Sequence, residues 1–456
     1  MSENIRMIIA FIIPLTFLLI ILIKFKINPT IALLCTAILT GIIVGMDLPA
    51  LITTLTTGFG SILTSVGLVV GFGMVLGELL SKSGGAEELG KAMLRFVGKK
   101  KDNLAINITG YILAVPIHLL SALVMLLPFV RSMSKITKRS MASYATALLI
   151  GLILTHTCVV PTPGPLAIAG MLKANLGWFL LYGLIITLPA TLLVGWGGSQ
   201  LVERWALKGK NPHEPEQVQE EEEFDLTADP TKPSAKLTLG LIALPIFLIL
   251  LNTIAGVILP ADSKVMTILS FLGNNHIALF IGALVAMIAL RKYFKDEAIN
   301  SVFEKCLTGV GSLFMLLGAG NALGTVIATS GMGDFLVQSL SGLNLSIVVL
   351  GFVLCLILRI VMGLGVVAAI TVTSILGPTV LALGASPVLF GLAVCAASFG
   401  FLGPFDPTFW MFGKFYDMDF KQTIVAITIP TAAACLICFG VIMILNAFSS
   451  VLPGLI

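Results

Sequence analysis

Five ionisable side chains stand inside long apolar runs of this 456-residue chain: Glu78, His118, His156, Arg359 and Asp406. A charge at membrane depth costs several kcal/mol, so such residues pair with one another, line a polar cavity or do chemistry. Arg359 is the one best suited to hold a carboxylate, because a planar guanidinium offers two parallel N–H donors. It opens the run Arg359-Ile360-Val361-Met362-Gly363-Leu364-Gly365-Val366, in which Gly363 and Gly365 suit the tip of a helical hairpin. Its plainer role is structural, as the ion-pair partner of Asp406 or Glu78 or as a head that snorkels to the interface. Asp406 stands between prolines in Gly403-Pro404-Phe405-Asp406-Pro407, downstream of Ser398. A carboxylate in a broken span can accept a coupling proton or help hold a cation. It can equally cap the next half-helix, since Asp before Pro is a favoured helix start.

The other interruption is Thr155-His156-Thr157-Cys158-Val159-Val160-Pro161-Thr162-Pro163-Gly164-Pro165. Three prolines in five residues cannot continue a helix, since each removes a backbone donor. The alternative is a proline kink packed against its neighbours. If the helix breaks, the freed carbonyls and the N-terminus beyond Pro165 can face a ligand, with the half-helix dipole favouring an anion. Thr155, His156, Thr162 and Gly164 are then the candidate contacts, and His156 a second candidate for the coupling proton. His118 and Glu78, near an interface, read as structural. His213 falls in a linker and His276 in a loop.

The elements that must position these residues follow from composition. The chain is 57% apolar and 11% charged, against roughly 25% charge in an ordinary soluble domain. Its apolar residues suffice for roughly ten to thirteen spans of about 20 residues. That excludes a soluble multi-domain enzyme, a secreted disulfide scaffold and a disordered chain. A net charge of +4 reports topology before nucleic-acid binding in such a protein. Six of the seven cysteines, Cys435 and Cys438 three apart among them, lie in apolar runs, and Cys306 just precedes one. No histidine stands near them at metal-ligand spacing, which argues against a zinc site. The residues from Met7 to Ile23 read as a first membrane helix rather than a cleaved signal, since no small-residue cleavage pattern follows them.

Apolar runs fall at 7–23, 29–46, 58–80, 104–130, 141–172, 177–200, 237–259, 276–290, 309–329, 345–383, 387–413 and 422–446. The hydrophilic stretch 203–236, with the acidic run Glu220 to Glu223, reads as a plain hydrated linker between a first repeat at 1–202 and a second at 237–456. The halves share landmarks. Thr57-Gly58-Phe59-Gly60-Ser61 recurs as Thr308-Gly309-Val310-Gly311-Ser312, and Ser83-Gly84-Gly85-Ala86-Glu87 as Ser330-Gly331-Met332-Gly333-Asp334. The second pair is four residues closer than the first, the equivalent of one helical turn. Pro161 to Pro165 sits opposite Gly403 to Pro407. Lysine and arginine placement switches sides between the halves, as oppositely oriented copies require.

A consistent topology makes 104–130 and 345–377 re-entrant hairpins, because Lys99, Lys100 and Lys101 precede the first and Arg131, Lys135, Lys138 and Arg139 follow it. Each half then has three spans, a hairpin, a broken span and a closing span. The linker is cytoplasmic and both termini are outside. Of the 27 basic residues, 23 are cytoplasmic, Arg6, Lys173 and Lys264 are outside, and Arg359 is in the membrane. The fold class is an all-α polytopic membrane protein with two inverted repeats.

These segments resemble the gluconate permease family of proton-coupled sugar-acid symporters, within the wider ion-transporter superfamily. The matching stretches are Phe25-Lys26-Ile27-Asn28, Gly71-Phe72-Gly73 through Gly77, Gly84-Gly85-Ala86, Thr155-His156 with Pro161 and Pro163-Gly164-Pro165, Arg359 with Gly363 and Val367 to Thr371, and Asp406-Pro407 with Phe409-Trp410. The resemblance implies an inner-membrane carrier, a homodimer, that moves its site across the bilayer as a block. It also implies a small organic anion as substrate, a proton as coupling ion and no cofactor. Five positions depart from the family pattern. Thr162 replaces a histidine and Leu120 a membrane-embedded glutamate. Leu364 and Val366 replace a serine and a threonine, and Phe405 replaces an asparagine.

A site poorer in hydrogen-bond partners disfavours a polyhydroxylated acid, since a buried hydroxyl without a partner costs about 1–3 kcal/mol. The missing glutamate leaves Asp406 or His156 to carry the proton. It also keeps open sodium coupling, an amino-acid substrate and a passive exchanger or channel on the same fold. No phosphate-binding GxxxxGK[ST] loop and no HExxH set occurs, so ATP-driven transport and metallohydrolase chemistry are not expected.

Overall fold

The computed structural model describes residues 3–97, 102–115, 119–208, 227, 229–260, 262–294, 299–331, 335, 346–404 and 406–455. His118, His213, Glu220 to Glu223, Met332 to Asp334 and Phe405 lie outside them. Every regular element described is helical. The first half runs through α1 (Glu3–Ile23), α2 (Pro29–Val44) and α3 (Leu48–Ile62), then a π-helical turn (Leu63–Gly67) into α4 (Leu68–Lys82). It continues with α5 (Gly85–Val97), α6 (Asp102–Leu113), α7 (Leu119–Thr137), α8 (Met141–Cys158), α9 (Pro163–Met171) and α10 (Leu176–Ala190), whose π-helical extension Thr191–Gly198 leads into α11 (Ser199–Lys208). The second half comprises α12 (Ala235–Ile258), α13 (Lys264–Leu272), α14 (Asn275–Leu290), α15 (Ile299–Thr329), α16 (Ile347–Met362), α17 (Gly365–Ala382), α18 (Pro387–Phe399) and α19 (Pro407–Phe415). It closes with α20 (Phe420–Thr423), a π turn (Ile424–Thr428) and α21 (Ile429–Ala447).

Seven of the described helical stretches are long and apolar enough to cross a membrane, or eight if the bent pair within 48–82 is one span. The chain is thus a multi-pass membrane protein. The elements exceed the apolar runs where they are amphipathic. The run at 58–80 is the inner part of a helix that begins at Leu48, and the run at 309–329 belongs to a helix that begins at Ile299. His276 is in the first turn of α14, behind the Asn274 cap, and not in a loop.

The sequence landmarks have matching local structure. Gly84 and Gly331 both adopt left-handed backbone, at φ 77° and 76°, a conformation that costs glycine least. The serine before each returns its hydroxyl to its own helix, Ser83 to Leu80 O at 3.3 Å and Ser330 to Ile327 O at 2.9 Å. The four-residue difference also has a place, because the segment Ser61–Ser83 holds the π turn and a 47° bend whereas α15 is one continuous helix. α3 and α15 pack closely, Gly58 against Ala322 and Thr325 and Gly318 against Phe59. Asn321 on α15 donates to Gly58 O at 2.7 Å and to Ser61 Oγ at 3.0 Å.

The two ends of the segment that holds the run 104–130 lie together. Asp102 at the start of α6 pairs with Arg139 beyond α7 at 3.0 Å and accepts from the Tyr144 hydroxyl at 2.6 Å. Tyr144 also meets Thr137, the last residue of α7, at 2.8 Å. Both ends of the segment are therefore held together at one pole of α8. The polar stripe Asn103, Asn107 and Tyr111, spaced by four, then ties α6 down. Asn103 donates to Ser143 and Asn107 to Ala147 O, each at 2.8 Å, while Tyr111 meets Thr187 of α10. Close approach needs small residues, as is common where apolar solvent gives helices no drive to associate. A methyl group on Gly151 of α8 would strike the Asn107 carbonyl.

The centre of the molecule is α8 and α18. From Val388 to Phe399 every residue of α18 is buried, whereas α1 and α12 turn Ile12, Ile13, Phe247 and Val257 outward. A helix apolar all round belongs inside; a one-sided one belongs at the lipid boundary.

The hydrophilic linker is more than a hydrated connector at its C-terminal end. Lys232 binds Glu87 at 2.6 Å, the Asp229 amide donates to Glu88 at 3.3 Å, and Lys91 bridges both glutamates at 3.1 and 3.2 Å. Burial opposes ionisation of Glu87, but the hydrogen bonds and charges of Lys232 and Lys91 outweigh it and hold this carboxyl below its usual range.

Two outcomes follow from these contacts. Gly151→Ala is expected to cost roughly 1–3 kcal/mol by overpacking α6 on α8, read as a lower melting temperature in detergent. Glu87→Gln is expected to lower the melting temperature at pH 7. Because the folded pKa of Glu87 is depressed, its contribution is present above the ordinary value of 4.5 and is lost as pH falls through the lower folded value. The gap between variant and wild type should therefore close below that pH.

Candidate functional site

The two interrupted spans have the same construction. α8 ends at Cys158 and α18 at Phe399, and each is followed by a nine-residue helix with proline at its first position, Pro163 in α9 and Pro407 in α19. Each short helix ends on a left-handed residue ten places on, Lys173 at φ 52° and Asp417 at φ 51°. An amide then closes each end, Ala174 to Ala169 O and Met418 to Gly413 O, both at 2.8 Å. Asn175 and Asp419 cap the helices that follow. The breaks therefore align as Pro163 with Pro407, which shifts the sequence alignment of Pro161–Pro165 with Gly403–Pro407 by two residues. The repeated prolines made the register ambiguous, and the helix starts decide it. Thr162 is thus the counterpart of Asp406, each the N-cap of its half-helix.

The two caps behave differently. The Asp406 carboxylate accepts the Thr408 amide at 2.6 Å through Oδ1 and so closes the start of α19. The Thr162 hydroxyl turns back to Val159 O at 2.6 Å and caps nothing. Because Pro163 and Pro165 carry no N–H, the only donor among the first three residues of α9 is the Gly164 amide. α17 is also uncapped, since its N-cap is Leu364. The starts of α9 and α17 meet, for a Cβ on Gly164 would lie 3.9 Å from Val366 Cγ2.

The hairpin tip is a two-residue reversal. Gly363 is left-handed at φ 70°, and Leu364 is extended. Gly365 packs so tightly on α18 that a Cβ there would strike the Ser398 carbonyl, and it would stand 3.5 Å from Arg359 Cδ. The glycines are therefore needed for the turn and for close approach. This brings Arg359 against the start of α17 and toward the second break, where its Nη2 pairs with Asp406 Oδ2. Both side chains are buried, at 4% and 10% exposure. Arg359 Nε is buried too and has no hydrogen-bond partner among the described residues.

Arg359, Gly363, Gly365, Ser398 and Asp406 thus form one cluster, and Gly164 joins it through Val366. Thr155, buried, and His156, half-buried, stand in the last turn of α8, on the other side of the first break. The Ser398 hydroxyl is bonded to Cys395 O at 2.7 Å, so Ser398 and Thr162 both direct their hydrogens into their own backbone. Glu78 lies on α4 and is not in the cluster's contacts. Residues that the sequence reading missed hold the second break together. Leu402 receives its backbone bonds from α21 and the turn before it, with Thr431 Oγ1 accepting its amide at 3.1 Å and Thr428 donating to its carbonyl at 2.7 Å. The signal was two threonines three apart in the closing span.

A family model described as GntP family permease matches residues 6–448. The chain belongs to the GntP permease family. This permease is 32% identical over 445 residues to an uncharacterized permease of Haemophilus influenzae, covering 94% of this chain and 89% of that one. It is 30% identical over 413 residues to the Gnt-II system L-idonate transporter of Escherichia coli, covering 89% and 91%. It is 29% identical over 409 residues to a high-affinity gluconate transporter of the same organism, covering 89% and 92%. Among solved structures it shares a fold with the Alcanivorax borkumensis YdaH transporter, at a TM-score of 0.62 and 14% identity over 88% of this chain and 90% of that one.

Arg359 and Asp406 form a buried ion pair at the second break. Removing one partner leaves the other buried and uncompensated, which costs about 3–5 kcal/mol, whereas replacing both by apolar groups is often neutral. Arg359→Met and Asp406→Leu are each expected to lower the melting temperature more than the double variant does.

Proposed function

We propose that this permease is a secondary active carrier, and not an enzyme, that imports a small organic carboxylate across the inner membrane by proton symport. The observation that supports it most is the meeting of two uncapped helix starts, α9 at Gly164 and α17 at Gly365, beside a buried guanidinium with an unpartnered Nε. Helix N-termini and arginine forks both favour a carboxylate. The named relatives that carry gluconate and L-idonate support the same substrate class. In this reading Arg359, Gly365 and Gly164 take the carboxylate, Gly363 shapes the tip, and Thr155, His156, Thr162 and Ser398 line the space beside it. Asp406 is the coupling group, with His156 the other candidate.

The two-repeat organisation supports an elevator, in which the hairpins and broken spans move as one body against the remaining spans of an inverted-repeat homodimer. The linker at 203–236 then lies in the cytoplasm and both termini outside. The site is poor in hydroxyl partners. Leu364 and Val366 expose apolar side chains at the tip, and Thr162 and Ser398 have spent their hydrogens. This favours an acid with fewer hydroxyls than gluconate.

Uptake by purified protein in liposomes tests the proposal. Accumulation should require an inward proton gradient, collapse with an uncoupler and persist without sodium. Glycerate and lactate should compete better than gluconate, and Arg359→Lys should weaken competition at least tenfold by losing the fork. Accumulation that needs sodium, or competition that ranks gluconate first, would overturn the corresponding part.

A further inference from the structure

Asp406 uses its two oxygens for different purposes. Oδ1 is committed to the helix start, accepting the Thr408 amide, and only Oδ2 reaches Arg359. The aspartate backbone is fixed as well, with its amide bonded to Gly403 O at 2.9 Å. The carboxylate can therefore give up the arginine without leaving its place. On the other side, the guanidinium is held by one nitrogen of the fork, with Nε unpartnered among the described residues. Arg359 is thus in contact with a carboxylate that uses half of the edge a two-pronged ligand would use.

We propose that Asp406 is an internal stand-in for the substrate carboxylate, which displaces it from the Nε and Nη2 edge of Arg359 while Asp406 takes up one proton. This rests on the carboxylate reading above and adds how the coupling is enforced. The argument is one of charge. Arg359 with ionised Asp406 is neutral. Adding a second carboxylate to that pair buries a net negative charge, which is expensive. Protonating Asp406 as the substrate arrives restores neutrality, and the neutral acid keeps an oxygen for the Thr408 amide. The empty site and the site loaded with both proton and substrate are then the two neutral forms, and they are the two that cross the apolar barrier. Substrate without the proton, or the proton without substrate, leaves the site charged and immobile. Transport of a monocarboxylate is electroneutral, with one proton for each anion.

Few other groups on the packed elements compete for this role. Among the described residues α8 contributes His156 and Cys158, α16 Cys355 one turn before Arg359 and α18 Cys395, while α21 places Cys435 against Gly400. On α19 itself Lys414 lies at the far end, where Arg131 of α7 binds the Phe415 carbonyl and pairs with Asp417. His156 is the competitor of consequence, so the test includes it.

The test is titration calorimetry of the full-length protein in detergent with glycerate and gluconate, in two buffers of different ionisation enthalpy, from pH 5.5 to 8.5. Wild type should take up close to one proton per carboxylate bound at the alkaline end, with affinity falling about tenfold per pH unit there. Asp406→Asn should bind with no proton uptake and a flat pH profile, and should exchange substrate across liposomes without accumulating it. His156→Gln alters the lining of the site, so its affinity can change, but it should keep the wild-type proton count. Binding by wild type without proton uptake, an unchanged count in Asp406→Asn, or its loss in His156→Gln would each overturn the stand-in and leave the carboxylate site intact. Binding of neither acid at any pH would overturn the carboxylate reading together with it. Should Asp406→Asn fail to fold, the wild-type proton count together with its persistence in His156→Gln decides.

Discussion

A chain that breaks two helices among apolar neighbours must find partners for every backbone group the breaks release, because lipid supplies none. That constraint explains most of the specific chemistry in this permease. At the second break the amide and carbonyl of Leu402 are satisfied by Thr431 and Thr428, the Pro404 carbonyl by Trp410 Nε1 at 2.9 Å, and the Thr408 amide by Asp406. At the first break proline removes the donors, and the Thr162 hydroxyl serves Val159 O. One break is closed by a network from other helices and the other largely closes itself. The difference places a titratable group at only one of two otherwise similar helix starts.

The sequence was legible where a residue type has few physical uses. Arg359 and Asp406 stood out because charge is rare in this chain, and each had its structural alternative in view: partner of Asp406 for one, helix cap for the other. The structure has both alternatives at once, since Asp406 caps with one oxygen and pairs with the other. The glycine landmarks were legible for a similar reason. Gly84 and Gly331 mark left-handed turns that other residues disfavour. The out-and-back course of 104–130 followed from basic residues at both its ends, and the contact of Asp102 with Arg139 agrees with it.

Other features left no such mark. The two-residue register between the breaks was hidden because proline recurs at every second position from Pro161 to Pro165. The amphipathic helix α5 and the beginnings of α3 and α15 carry enough polar residues to escape a count of apolar runs. A π turn changes the hydrogen-bond partner by one residue and leaves no compositional trace, so the bend at Leu63–Gly67 showed only as a four-residue difference between repeats. Asn103 and Asn107 were overlooked because attention went to ionisable groups. Yet a neutral amide that reaches a carbonyl across two helices is a common way to fix them in an apolar medium.

In the proposed function, the side chains at the tip connect these observations to selectivity. Leu364 and Val366 at the tip are apolar, and the hydroxyls of Thr162 and Ser398 are bonded to their own backbone. Recognition of the carboxylate and recognition of the rest of the substrate are thereby separated. In the proposed function the first rests on Arg359 and two helix starts, which depend on backbone and one charge. The second rests on side chains that line the space beside them and can change without disturbing the break. If the proposed coupling holds, a carrier built this way can alter the acid it takes while keeping its charge balance, because in that proposal the balance belongs to Arg359 and Asp406.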